Sequence, residues 1–257
     1  MNPLRLGCAK YLNARPLIHG WPGEVVFDHP ATLCTQLARA DLDVALVSSF
    51  EFLRNPIYRI VDDISISSDG PVYSVVVAYR GDIADVVEIE LDPASQTSVN
   101  LLRCILAERK VKPKLSWRRR AADNGETANS TARLLIGDQA IRFRRDHSDF
   151  EFWDLGEEWK RIVDLPFVFA LWLAWPEFGD ASNVADRLRA LRNENVANLD
   201  ALIAQEKEFD PAFCRRYFRE HLRFTFGEKE KQGLLAFHDL CRKYELLPDR
   251  ELVLALV

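Results

Sequence analysis

Six short polar segments carry the residue types that could do chemistry in this chain. They read Tyr11-Leu12-Asn13, Ser48-Ser49-Phe50-Glu51, Ser67-Ser68-Asp69-Gly70-Pro71-Val72-Tyr73-Ser74, Ser95-Gln96-Thr97-Ser98, Gly137-Asp138 and Asp154-Leu155-Gly156. Hydroxyls, amides and turn glycines dominate them. A Ser or Thr at a helix start caps one backbone N–H, and the first turn still presents others together with the positive end of the helix dipole. Such starts favour anions. Two of them, at Ser48-Ser49 and at Thr97-Ser98, could each hold a carboxylate, so a small dicarboxylate is the ligand the pattern fits. Taken singly, each Ser or Thr reads more simply as an N-cap. The agreement of several segments is what points to a site.

Conventional catalytic motifs are missing. The chain has no G-x-S-x-G, H-E-x-x-H, Walker loop or G-x-G-x-x-G. His19, His29, His147, His221 and His238 all fall outside the six segments and read as surface or satisfied core histidines. Glu51 and Asp138 are the carboxylates best placed to move a proton, although Glu51 reads equally as solvent-facing or arginine-paired. Asp154 reads as a helix N-cap. Cys8, Cys34, Cys104, Cys214 and Cys241 are scattered without C-x-x-C spacing, which predicts reduced core thiols and no zinc site.

The segments matter only if strands and helices bring them together. Apolar runs predict strands at Leu4 to Ala9, Glu24 to Asp28 and Asp43 to Val47. Helices are predicted after Asn13, over Pro30 to Ala40 and from Ser48-Ser49 through Leu53. That βαβαβα order implies a parallel sheet with right-handed crossovers. Further strands are expected at Ile57 to Asp62, Val72 to Tyr79, Val86 to Leu91, Leu134 to Ile136, Phe152 to Leu155 and Phe167 to Ala174. Helices are expected after Ser98, after Asp138 and over Glu157 to Val163. The tail reads as three helices, Asn183–Glu208, Pro211–His221 and Glu228–Tyr244. The βα repeat breaks near Val77–Leu91 and near Leu165–Pro176. Two breaks predict two lobes joined by two crossing strands: residues 1–78 and 176–257 in one, with the C-terminal helices, and 79–175 in the other. In open parallel sheets ligands bind beyond the carboxyl ends of the strands, and all six polar segments lie there.

Composition sets the outer bounds. The chain has 257 residues, is 48% hydrophobic and carries a net charge of −5, which is ample for a core and gives no reason to expect a nucleic-acid partner. Arg118-Arg119-Arg120 is the one dense basic run and reads as a solvated face. No apolar stretch reaches the roughly 18 residues of a membrane span. The first residues lack the basic and apolar regions of a signal peptide, so a cytoplasmic location is expected. The sequence says nothing of oligomeric state.

Seven motifs, in order along nearly the whole chain, resemble those of the chorismate dehydratases of menaquinone biosynthesis. Tyr11-Leu12-Asn13-Ala14-Arg15-Pro16-Leu17 resembles that family's Y/F-L-N-x-x-P-L opening, and Asp41 to Leu53 its D-L-D stretch ending in E-F-L. Asp69 to Ser74 resembles D-G-P-V-x-S, Ser95 to Val99 S-x-T-S-V, and Leu135 to Ala140 L-I-G-D-x-A. Asp154 to Trp159 resembles D-L-G-x-x-W, and Leu165 to Ala170 L-P-F-V-F-A. The chain departs from the pattern at Asp92-Pro93-Ala94, where a glycine or serine is expected.

The resemblance implies an α/β, two-lobed, periplasmic-binding-protein type II-like fold with a ligand cleft between the lobes. It implies a cofactor-free, metal-free lyase of the futalosine route that takes chorismate to 3-[(1-carboxyvinyl)oxy]benzoate. By the same resemblance Asn13 and Ser74 orient the ether side chain and the departing hydroxyl. Ser49, Ser95, Thr97 and Ser98 clamp carboxylates, with Asp138 beside them. Three groups compete for the role of base: the substrate's own side-chain carboxylate, Glu51 and Asp138. Two other readings share the architecture, the sister lyase that forms 1,4-dihydroxy-6-naphthoate and a non-catalytic small-acid binding protein. The L-N-x-x-P-L opening and D-G-P-V-x-S favour the dehydratase, and the lack of an export signal disfavours a receptor.

Overall fold

Strands that are apolar along their whole length must be covered on both faces, and two in this chain are. In the computed structural model, which describes residues 3–117 and 131–257, Val44–Ser48 is buried throughout and Phe167–Ala174 nearly so. They lie side by side at the centre of a five-stranded sheet. In chain order its members are β1 (Leu6–Ala9), β2 (Val25–Asp28), β3 (Val44–Ser48), β4 (Arg59–Ser68) and the late strand β10 (Phe167–Ala174), in spatial order β2-β1-β3-β10-β4. The first three are parallel, as expected, but β10 runs antiparallel to both its neighbours. A second five-stranded sheet holds β5 (Val75–Tyr79), β6 (Glu88–Leu91), β7 (Lys114–Trp117), β8 (Thr131–Ile136) and β9 (Glu151–Asp154), in order β7-β6-β8-β5-β9, with β5 antiparallel to its two neighbours.

Each sheet with its helices makes one lobe. The first is packed by α1 (Arg15–Ile18), α2 (Pro30–Ala38), α3 (Ser49–Arg54) and the tail helices α7 (Ala181–Ala197), α8 (Leu199–Ala204), α9 (Pro211–Arg216) and α10 (Glu228–Lys243). The second carries α4 (Gln96–Glu108), α5 (Gly137–Asp146) and α6 (Leu155–Val163). Among the described residues no helix is long and apolar enough to cross a membrane. All five cysteines are unpaired and buried. The Arg118-Arg119-Arg120 run lies outside the described residues.

The sheets correct the expected crossing points. β5 lies within the span assigned to the first lobe but pairs in the second sheet, and β10 lies within the span assigned to the second but pairs in the first. The chain therefore crosses at 69–74 and again at 164–166, before each strand rather than after it. Hydropathy marks where strands are but not which sheet hydrogen-bonds them, and that pairing decides membership. Three local expectations also shift. β4 runs on to Ser68, because Ser65 and Ser67 alternate with Ile64 and Ile66 and their hydroxyls reach the carbonyls of Thr225 and Arg223. Strand β7, Lys114-Leu115-Ser116-Trp117, alternates polar and apolar over only four residues and is not among the expected strands. The helix expected over Asn183–Glu208 breaks at Asn198.

The first crossing is pinned by one side chain. Asp154 caps α6, its Oδ1 accepting from the backbone N–H groups of Gly156 at 3.0 Å and Glu157 at 3.1 Å. The same carboxylate accepts from Val72 N–H at 3.0 Å and Tyr73 N–H at 2.7 Å on the crossing segment. Gly156 lets that segment approach, since a Cβ there would sit 2.6 Å from the Gly70 carbonyl oxygen. Tyr73 is held in the left-handed region at φ 66°, a conformation that persists only when neighbours over-determine it. Arg144 contributes by donating to the Tyr73 carbonyl and stacking over its ring. Removing the carboxylate with Asp154→Ala orphans four buried or half-buried N–H groups, and we expect a loss of about 2–4 kcal/mol in denaturant unfolding. A loss below about 1 kcal/mol would show that the crossing is held by packing instead.

Candidate active site

The strand ends of the two sheets face one another across a narrow gap. Asn13, which follows β1, lines it with Ser48 at the end of β3 and Ser74 at the start of β5. Ser95 and Ser98 from the head of α4, Gly137 at the head of α5 and the apolar Val72 and Phe169 complete the walls. Its free volume is about 50 Å³, room for a water or two rather than an organic acid, so the lobes stand closed. No lining side chain among the described residues carries a charge. Whatever attracts an anion here comes from N–H groups, hydroxyls and helix dipoles.

Two helix starts from opposite lobes cap one another. Ser48 Oγ accepts from Thr97 N–H at 3.0 Å, at the head of α4. Thr97 Oγ1 accepts from Phe50 N–H at 3.0 Å, at the head of α3, and the two hydroxyls are hydrogen-bonded to each other. Within α4, Ser95 Oγ accepts from Ser98 N–H at 3.2 Å and the pair of hydroxyls lies 3.0 Å apart. A second bridge joins Leu12 N–H to Asp138 Oδ1 at 2.8 Å. Burial pushes the Asp138 carboxyl above the usual range, against that bond and against nearby Arg142. Gly137 supplies the third contact. It takes φ +54°, and the Tyr11 ring lies where its Cβ would be, at 2.9 Å. Tyr11 in turn bonds His29 Nδ1 through its hydroxyl at 3.0 Å.

The expected site residues thus divide. Asn13, Ser74, Ser95 and Ser98 meet in the gap. Thr97 stands behind it, committed to Ser48 and Phe50. Ser49 does not face the gap; its hydroxyl donates to the Val168 carbonyl at 2.6 Å, and Ser48 takes the place expected of it. Successive residues at a strand-to-helix junction point to opposite sides, so a one-residue error exchanges lining for packing. Asp138 bridges the lobes but is not in the lining. Glu51 is also displaced. It is buried on α3, forms an ion pair with Arg54, and stands beside Cys34 and Tyr58 rather than in the gap.

Two residues carry more of the site than the sequence assigns them. Ser48 enters the sequence reading only jointly with Ser49, as a helix start that could hold a carboxylate, and Ser49 is the one expected to clamp it. Tyr217 falls inside the tail helix expected over Pro211–His221, and the sequence reading assigns it no role. Its hydroxyl is wholly buried and donates to Ser74 Oγ at 2.7 Å, with the Asn13 side chain close by. The helix switches to a π turn over Tyr217–His221 at this point, a local irregularity that often marks a site and leaves no sequence signature.

The profile of a family described as menaquinone biosynthesis matches residues 4–243. The chain belongs to that family. A chorismate dehydratase from Thermus thermophilus is 29% identical to it over 262 residues, spanning 92% of this chain and 94% of the relative. A protein of known structure from Archaeoglobus fulgidus matches with a TM-score of 0.74 at 18% identity, covering 95% of this chain and 98% of its own. The alkanesulfonate-binding protein SsuA from Xanthomonas axonopodis pv. citri, bound to MOPS, gives 0.70 at 17% identity over 100% and 99%. At those identities the likeness shows fold alone, the periplasmic-binding-protein fold expected from the sequence.

The menaquinone-biosynthesis chain thus holds its lobes shut partly through the Ser48–Thr97 exchange. Thr97→Val keeps the shape and removes the acceptor for Phe50 N–H. We expect about 1–2 kcal/mol of lost stability, faster amide exchange at Phe50 and a larger radius of gyration in solution scattering without ligand. An unchanged radius would mean that closure rests on other contacts.

Proposed function

We propose that this chain dehydrates chorismate to 3-[(1-carboxyvinyl)oxy]benzoate, on the futalosine branch of menaquinone synthesis and in the cytoplasm. The observation that carries the reading is the charge-free gap in which Asn13, Ser74, Ser48, Ser95 and Ser98 converge on two helix starts. The family match and the Thermus relative support it.

Chorismate carries two carboxylates, a ring hydroxyl and an enolpyruvyl ether. Its dehydration breaks the C–H bond at the ether-bearing ring carbon, forms a ring double bond with that electron pair and expels the neighbouring hydroxyl, which leaves as water. The ring becomes aromatic, so the step is strongly downhill and redox-neutral. The protein has to position the groups, exclude water and stabilise the leaving oxygen. Neutral donors suit this work, because they hold carboxylates without neutralising the one that acts as base. In this reading Ser95, Ser98 and Ser48 hold a carboxylate at the head of α4, while Asn13 and Ser74 face the ether and the hydroxyl. The base is the substrate's side-chain carboxylate, since Glu51 and Asp138 are engaged outside the lining. Substrate enters by opening of the lobes, as the closed gap cannot admit it.

The test is to mix the purified protein with chorismate and follow the aromatic product. Asn13→Ala and Ser74→Ala should each lose roughly a hundred- to a thousandfold in turnover with the fold intact, the usual effect of removing a positioned donor. Glu51→Gln should stay within a few-fold of the parent. Binding of chorismate without product would sink the lyase reading in favour of a binding protein. A hundredfold loss in Glu51→Gln would return that residue to the role of base.

A further inference from the structure

We infer that Tyr217 is a positioning residue that aims the Ser74 hydroxyl proton at the departing oxygen of the substrate. The inference deepens the dehydratase reading and rests on it.

A serine hydroxyl has one proton to give and two lone pairs to receive. Ser74 is fully buried, and its Oγ accepts from the Tyr217 hydroxyl at 2.7 Å. The phenol proton occupies that line, so the serine proton has to point elsewhere. Among the described residues the Ser74 side chain has no second hydrogen-bond partner, and it lines the gap. Its proton is therefore directed where a ligand sits. The Asn13 side chain lies beside the same phenol. The line has a single polarity: phenol to serine, serine to ligand. A hydroxyl that accepts a bond becomes a better donor, and low surrounding polarity strengthens each link.

The phenol is suited to the task. Burial, with Asp138 and Asp154 nearby, pushes its pKa upward, so it keeps its proton and acts as a fixed donor. Its ring is held by stacking on Phe213, with centroids 5.6 Å apart and planes 14° from parallel, and by an edge contact to Tyr73. Tyr73 is the strained residue preceding Ser74, so one ring fixes both the backbone turn and the hydroxyl it presents. Hydroxide is a poor leaving group, and a donor aimed at the oxygen as its charge develops acts mainly in the transition state. Tyr217 and Ser74 keep their own protons throughout; the water takes up the proton removed from the ring carbon.

The experiment is a double-mutant cycle on the full-length protein with chorismate. Tyr217→Phe keeps the ring and removes the proton. It should lower kcat by about ten- to a hundredfold, leave KM within about twofold and leave the thermal midpoint nearly unchanged. In the Ser74→Ala background the same change should cost nothing further, because its route of action is gone. Full kcat in Tyr217→Phe, or losses that multiply across the cycle, would overturn the inference while the dehydratase reading stood. If the parent protein makes no aromatic product from chorismate, both fall together. Should Tyr217→Phe unfold, 3-fluorotyrosine at 217 preserves the shape and donates more strongly; kcat above the parent supports the role, and kcat at or below it overturns it.

Discussion

Two sheets that present their strand ends to a common gap bring several helix starts into the same dry space. Each start has backbone N–H groups that no carbonyl of its own helix can reach, and a buried N–H without a partner costs as much as a lost hydrogen bond. The rest of this molecule follows from that constraint. In the closed form Ser48 and Thr97 trade caps across the lobes, Ser95 serves Ser98, and the Ser74 carbonyl receives Gly137 N–H at 2.7 Å. A ligand with oxygen anions can take over part of this duty. An acid-binding gap and a self-capped gap are thus two ways of meeting one requirement, and the difference between them is lobe opening.

The hinge and the site are made of the same atoms. Residues 69–74 cross between the sheets and end in Ser74. Asp154 gathers two N–H groups of that crossing with two of α6, so the second sheet holds the crossing at its midpoint. Tyr217, from the tail helices of the first lobe, meets Ser74 from the other side. The Tyr217–Ser74 bond thus ties the tail of the first lobe to the end of the crossing segment. The tail is therefore more than a cover for the first sheet: it delivers a buried phenol to Ser74.

The absence of charged side chains from the described lining is a choice with consequences. An arginine would hold a carboxylate more tightly but would also quench its basicity. Hydroxyls and peptide dipoles hold it while leaving its electron pairs available. Proteins of the same architecture include solute-binding proteins such as SsuA, and the shared fold does not distinguish binding from turnover. The distinction lies in which groups line the gap and how their protons are aimed.

The sequence by itself determined the elements and the identity of the polar segments. Strand and helix starts are written in local residue order: apolar runs, caps such as Ser95 and Asp154, and turn glycines act within a few residues of their position. It therefore disclosed the α/β class, the two-lobe plan and four of the residues that line the gap, Asn13, Ser74, Ser95 and Ser98. Only the tertiary structure decided which sheet each crossing strand joins, because β5 and β10 are equally apolar and pairing is chosen by distant partners. It alone separated Ser48 from Ser49, which differ by one residue of register, and sent Glu51 to Arg54 rather than to the gap. It alone brought Tyr217 to Ser74 across 143 residues of chain, a contact that no local pattern can encode.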